Sequence, residues 1–144
     1  MTFVIPPIVK TAERLLFEIE QAVSCFPRYH KYSTGSTLRE QAMAVTQLTH
    51  RAWRDRKRQA QWMDDLVMAL DDLRITMQLG SRLKAFRSLG QFEQLARTAS
   101  ELGRQLGGWR KQQSSTGQNG QRVSAGQRAQ TLSTRNASTC EANS

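Results

Sequence analysis

Two cysteines, two histidines, three prolines and 7% aromatic residues leave this 144-residue chain few groups for catalysis, metal binding or covalent stapling. Cys25 and Cys140 stand too far apart to suggest a disulfide framework or a metal-ligand spacing, and they suit a reducing compartment. Neither His30 nor His50 has a second ligand at helical or hairpin spacing. Glycine-rich phosphate loops are missing, and Gly107-Gly108 reads as a helix terminator. No nucleophile has a general base at recognisable motif spacing, and Cys25 reads as a small core residue at the end of an amphipathic helix. These absences predict a binding protein and not an enzyme, with no catalytic residues, no metal and no cofactor. The opening MTFVIPPIVK has no basic region and too short an apolar run for a signal peptide, and no window approaches the length of a membrane span. A cytoplasmic location is expected.

Positive charge, by contrast, is in excess. Lys and Arg number 21 against 12 Asp and Glu, a formal charge of +9. Residues 1–110 carry 17 basic and 11 acidic side chains, and residues 111–144 carry 4 and 1, so most of the excess belongs to the folded part. Such a field favours polyanionic partners: nucleic acid, or an acidic protein or membrane surface.

Apolar residues recur at three- and four-residue spacing in four segments. Pro6-Pro7 can open a first helix over about residues 7–25, with Ile8, Ala12, Leu15, Leu16, Ile19 and Val23 on one face. Leu38, Ala42, Val45, Leu48, Thr49 and Ala52 predict a second over 36–58, with Thr37 and Glu40 forming a capping box. Trp62, Leu66, Ala69, Leu70, Leu73, Met77, Gly80 and Leu83 predict a third over 60–84. Phe92, Leu95, Ala96, Ala99, Leu102, Gly103 and Leu106 predict a fourth over 89–110, opened by a Ser88–Gln91 capping box; Trp109 either locks its end, the first expectation, or serves as a nucleic-acid platform. A second apolar row, Met68, Ile75 and Leu79, either widens the core or meets another subunit, and the subunit is the first expectation. Asp64, Asp65, Asp71 and Asp72 read as a solvated acidic face. A buried, perturbed carboxylate pair among Glu18, Glu20, Asp64 and Asp65 would instead point to an enzyme.

Period-two alternation is missing before residue 111. The expected fold is therefore all-α: an antiparallel up-down four-helix bundle over residues 1–111. Residues 112–144 turn to Gln, Ser, Thr, Gly and Asn, with only Val123 and Leu132 large and apolar, which predicts a disordered, weakly basic tail.

The stretch FPRYHKYSTGSTL, residues 26–38, joins the first two helices as a charged aromatic elbow. Pro27 stops the first helix, and Ser33-Thr34-Gly35-Ser36 reads as a turn. Arg28, His30 and Lys31 are candidates for contact with phosphates or with an acidic protein. Tyr29 and Tyr32 either pack the elbow, the first expectation, or stack on bases. Arg51, Arg54, Arg56, Lys57 and Arg58 close the second helix. They either complement its dipole or face a polyanion, and five cations exceed what a helix end requires.

Three segments carry a family resemblance. FPRYHKYSTGSTLRE (26–40), ALDDLRITMQLGSRLKAFRSLGQFEQL (69–95) and ASELGRQLGGWRK (99–111) resemble, in order, segments of the Avd-like four-helix bundle proteins. These are the accessory variability determinants of diversity-generating retroelements. Thr34 stands where family members tend to carry an apolar residue, and the tail lies outside the resemblance. The resemblance implies a non-catalytic factor that assembles as a basic homopentamer, binds the retroelement reverse transcriptase and template RNA or cDNA, and supports mutagenic cDNA synthesis. The alternatives are a bundle similar to the proteins encoded by ribosomal-RNA intervening sequences, and a purely structural protein-interaction module.

Overall fold

The computed structural model describes residues 4–117. Among these, all regular structure is helical: α1 Pro7–Ser24, α2 Arg28–Lys31, α3 Thr34–Arg54, α4 Gln59–Arg82 and α5 Leu89–Gly117. Four of the five are long, and the 4-residue α2 is a single turn inside the elbow. Met1–Arg110 forms one compact unit, and α5 runs on past it to Gly117. The disordered tail expected from residue 112 does not begin there, because residues 112–117 continue α5; the rest of it, from 118 onward, lies outside the described residues.

The apolar stripes become the core. Leu15, Ile19, Leu38, Leu66, Leu73, Leu95 and Leu102 are fully buried, one or two from each long helix. Burying each such side chain contributes about 1.5–3 kcal/mol, which is how these helices become stable together and not alone. Trp109 is partly buried against this core. Leu83 departs from its expected stripe and is half exposed, because α4 ends at Arg82 and Leu83 caps it from outside.

Polar cross-links identify neighbouring helices. Arg39 Nε donates to both Glu20 oxygens at 3.0 Å, and His50 Nε2 lies 3.2 Å from Glu13 Oε2, joining α3 to α1. Thr98 Oγ1 donates to Glu18 Oε1 at 2.7 Å, joining α5 to α1. Arg110 donates to Asp64 at 2.7 Å and Arg74 to Ser100 Oγ at 3.0 Å, joining α5 to α4. Gln59 Nε2 donates to the Ala52 carbonyl at 2.6 Å across the α3–α4 turn.

Several helix ends differ from the sequence expectation. α3 starts at Thr34, so Thr37 lies inside it and donates back to the Ser33 carbonyl instead of capping. Gly35 is consequently helical and not a turn residue. Its role is close approach: a Cβ there would sit 2.8 Å from Val23 Cγ1 and 3.3 Å from the His30 carbonyl oxygen. α3 stops at Arg54 and not at 58, because Asp55 leaves helical geometry and turns its carboxylate toward Trp62. Gly107 and Gly108 do not end α5; buried Leu106 and partly buried Trp109 hold the helix on either side of them. At the start of α5 the Ser88 hydroxyl accepts from Gln91 N–H at 3.1 Å. The Gln91 side-chain oxygen Oε1 accepts from Arg87 N–H, one residue before the expected cap.

Gly35→Ala should lower stability by about 1–2 kcal/mol, since overpacking against a stiff β-branched neighbour outweighs the better helix propensity of alanine. Denaturant unfolding followed by circular dichroism measures it. An unchanged or raised midpoint would mean that Val23 moves aside freely.

Candidate polyanion interface

α3 is 21 residues long, about 30 Å at 1.5 Å per residue. The candidate cations read from the sequence therefore divide between its two ends. Arg28, His30 and Lys31 lie before its start, and Arg51, Arg54, Arg56, Lys57 and Arg58 lie at or beyond its finish. They do not form one site.

At the α3–α4 end, Arg51 and Arg54 occupy the last turn of α3, and Arg56, Lys57 and Arg58 the turn that follows. Thr46, Gln47, His50, Arg51, Arg54, Asp55, Arg58 and Trp62 line an open groove. Aromatic rings order its arginines: Arg51 lies over the Trp62 ring at 5.5 Å and Arg54 over Trp53 at 5.5 Å. Such contacts hold a guanidinium in place while leaving its N–H donors free for an anion. Trp62, expected only in the core stripe, is a half-buried wall of this groove. Its indole N–H donates to Asp55 Oδ2 at 3.0 Å. That bond holds the Asp55 carboxyl below its usual pKa. Partial desolvation opposes it, while the Arg58 and Lys57 backbone amides and the Arg58 charge assist. No local apolar or charge pattern could have paired Trp62 with Asp55, seven residues earlier across a turn.

At the opposite end, the elbow meets the α4–α5 turn. Phe26 and Phe86 are buried with their rings edge-to-face at 5.0 Å, and Arg87 Nη1 lies 3.9 Å from Cys25 Sγ. Arg82, Lys84 and Arg87 thereby join Arg28, His30 and Lys31. Local sequence patterns do not place Arg82, Lys84 and Arg87 beside the elbow. The available signal was the absence of acid: residues 21–39 and 73–92 contain no Asp or Glu. Two expectations fail here. Tyr29 and Tyr32 do not pack the elbow; they are 85% and 73% exposed. Cys25 is exposed and not part of the core.

Between the ends, three arginines are matched. Arg14 pairs with Glu18 and Glu101, Arg39 with Glu20, and Arg110 with Asp64. Glu18, Glu20 and Asp64 are thus tied to separate partners and form no carboxylate pair. Among the described residues, no cluster of three or more His, Cys, Asp or Glu could hold a metal ion, and no helix is long and apolar enough to cross a membrane. Met68, Ile75 and Leu79 are 65%, 56% and 47% exposed, so this row does not widen the core of the single chain.

Set against protein-family models and curated protein sequences, the chain matches none.

The Asp55–Trp62 bond gives a pH prediction. A carboxyl whose folded pKa lies below 3.8 adds stability above that pH and loses it as pH falls through the folded value. Trp62→Phe should therefore lower the melting temperature near neutral pH, and the gap from the parent should narrow below pH 3.8. A gap constant across pH, measured by thermal denaturation, would assign the effect to packing alone.

Proposed function

We propose that this chain is a non-catalytic accessory factor of a diversity-generating retroelement. In this reading it is a cytoplasmic protein that binds the reverse transcriptase and template RNA, or the cDNA made from it, through a basic oligomeric surface. The observation that carries the proposal is the gathering of unmatched cations at both ends. Among the described residues, Arg28, Lys31, Arg82, Lys84 and Arg87 at one end, and Arg56 and Lys57 at the other, form no ion pair. Leaving like charges together at a surface stores repulsion that a polyanion relieves, and phosphate contacts of this kind position a nucleic acid without reading its sequence.

The fold belongs to this reading as an antiparallel up-down bundle. In support, Glu13 meets His50 while Glu20 meets Arg39, and Asp64 meets Arg110 while Arg74 meets Ser100, so rising numbers on one helix face falling numbers on the next. The exposed Met68–Ile75–Leu79 row supports assembly, for which the resemblance implies five chains. A ring of basic subunits multiplies weak contacts through effective concentration.

Light scattering on the purified protein should give a mass near five chains, and a reverse transcriptase encoded beside it should co-purify, less so as salt rises. A Met68→Glu/Ile75→Glu variant should run at a smaller mass while keeping its helical circular dichroism. A monomeric parent that retains neither the polymerase nor RNA would overturn the proposal in favour of a structural bundle. RNA binding without any neighbouring polymerase would favour the intervening-sequence type.

A further inference from the structure

The end formed by the elbow and the α4–α5 turn differs from the groove at the other end of α3 in two ways. Both chain segments that build it are free of Asp and Glu, from 21 to 39 and from 73 to 92, and the Glu20 carboxylate at its margin is taken up by Arg39. This end also displays two aromatic rings outside the core, Tyr29 and Tyr32, 85% and 73% exposed on or beside a single helical turn. Their faces are open to solvent and available for stacking.

The backbone of the same end adds a third observation. α4 finishes in a Schellman motif: Ala85 N–H donates to the Gly80 carbonyl at 2.9 Å and Lys84 N–H to the Ser81 carbonyl at 3.0 Å. The left-handed residue in that motif is normally glycine. Here it is Lys84, at φ 60, the one non-glycine residue with positive φ among those described. A lysine in this position strains the backbone, yet its side chain is exposed and makes no ion pair among the described residues. What the residue adds to the molecule is a cation directed outward from the turn.

We infer that this end is a single-strand nucleic-acid platform, in which Tyr29 and Tyr32 stack on unpaired bases while Arg28, Lys31, Arg82 and Lys84 hold the flanking phosphates. The inference rests on the nucleic-acid reading above and deepens it, because only a strand with unstacked bases offers faces to both rings. A duplex presents phosphates alone and gains nothing from the tyrosines. The Arg51–Arg54–Arg58 groove, whose tryptophans already lie under guanidinium groups, takes phosphates without base stacking.

Fluorescence anisotropy with the full chain tests this, using a labelled unstructured RNA oligonucleotide and a duplex of equal length. The parent should favour the single strand. Tyr29→Leu/Tyr32→Leu should weaken single-strand binding about tenfold or more, leave duplex binding unchanged, and be rescued by Tyr29→Phe/Tyr32→Phe. Lys84→Gly should raise the melting temperature while making the log–log salt slope shallower by about 0.7. Arg51→Ala/Arg54→Ala should weaken both nucleic acids alike. If the tyrosine variant bound the single strand as tightly as the parent, the platform would be overturned while the nucleic-acid reading stood. If the parent bound neither nucleic acid at low salt, both would fall.

Discussion

Phe26 and Phe86 hold together two turns that lie 60 residues apart in the chain. Their edge-to-face contact at 5.0 Å, extended by Phe92 at 5.6 Å from Phe86, closes the hydrophobic core at one end. An aromatic pair of this kind adds about 0.5–1.5 kcal/mol beyond its buried area. Its geometric effect is larger than its energy. It sets the elbow against the α4–α5 turn, and Gly35 and Gly80 let the surrounding backbone and side chains approach closely enough for the contact to form. Arg28, His30 and Lys31 are thereby brought to the same end as Arg82, Lys84 and Arg87.

The opposite end is ordered by different means. Gln59 ties back to Ala52, Trp62 bonds Asp55, and Arg51 and Arg54 lie over tryptophan rings. Here a single acid sits among the cations and organises the turn. One end is thus a groove with an internal counter-charge, and the other a face built from two segments without Asp or Glu, with exposed rings. The length of α3 keeps them apart, so one molecule presents two chemically distinct basic surfaces.

The fold was largely legible because it is written in short-range periodicity. Leu15, Ile19, Leu66, Leu73 and Leu102 repeat at helical spacing, and burial follows from that repeat. Helix ends were less legible where a tertiary contact overrides a local signal. Asp55 leaves α3 for a tryptophan seven residues on, and Gly107-Gly108 stays helical between Leu106 and Trp109. Thr37 fits a capping pattern that loses to an earlier helix start. The candidate site was legible by composition but not by place. Arg28 and Arg51 could be named from the sequence, whereas their separation, and the arrival of Arg82 and Lys84 beside the elbow, depend on contacts between segments far apart in the chain. The exposure of Tyr29 and Tyr32 belongs to the same class, since ring packing in an elbow is decided by what the other turn brings.

The central claim is that unmatched cations at the two ends of the bundle receive a nucleic-acid backbone. Its most direct test is equilibrium binding of a structured RNA to the full chain across a series of salt concentrations. The account predicts tight binding at low salt that falls with a log–log slope of about −3 or steeper, as expected when four or more phosphates are neutralised. Affinity insensitive to salt, or no binding at low salt, would contradict it.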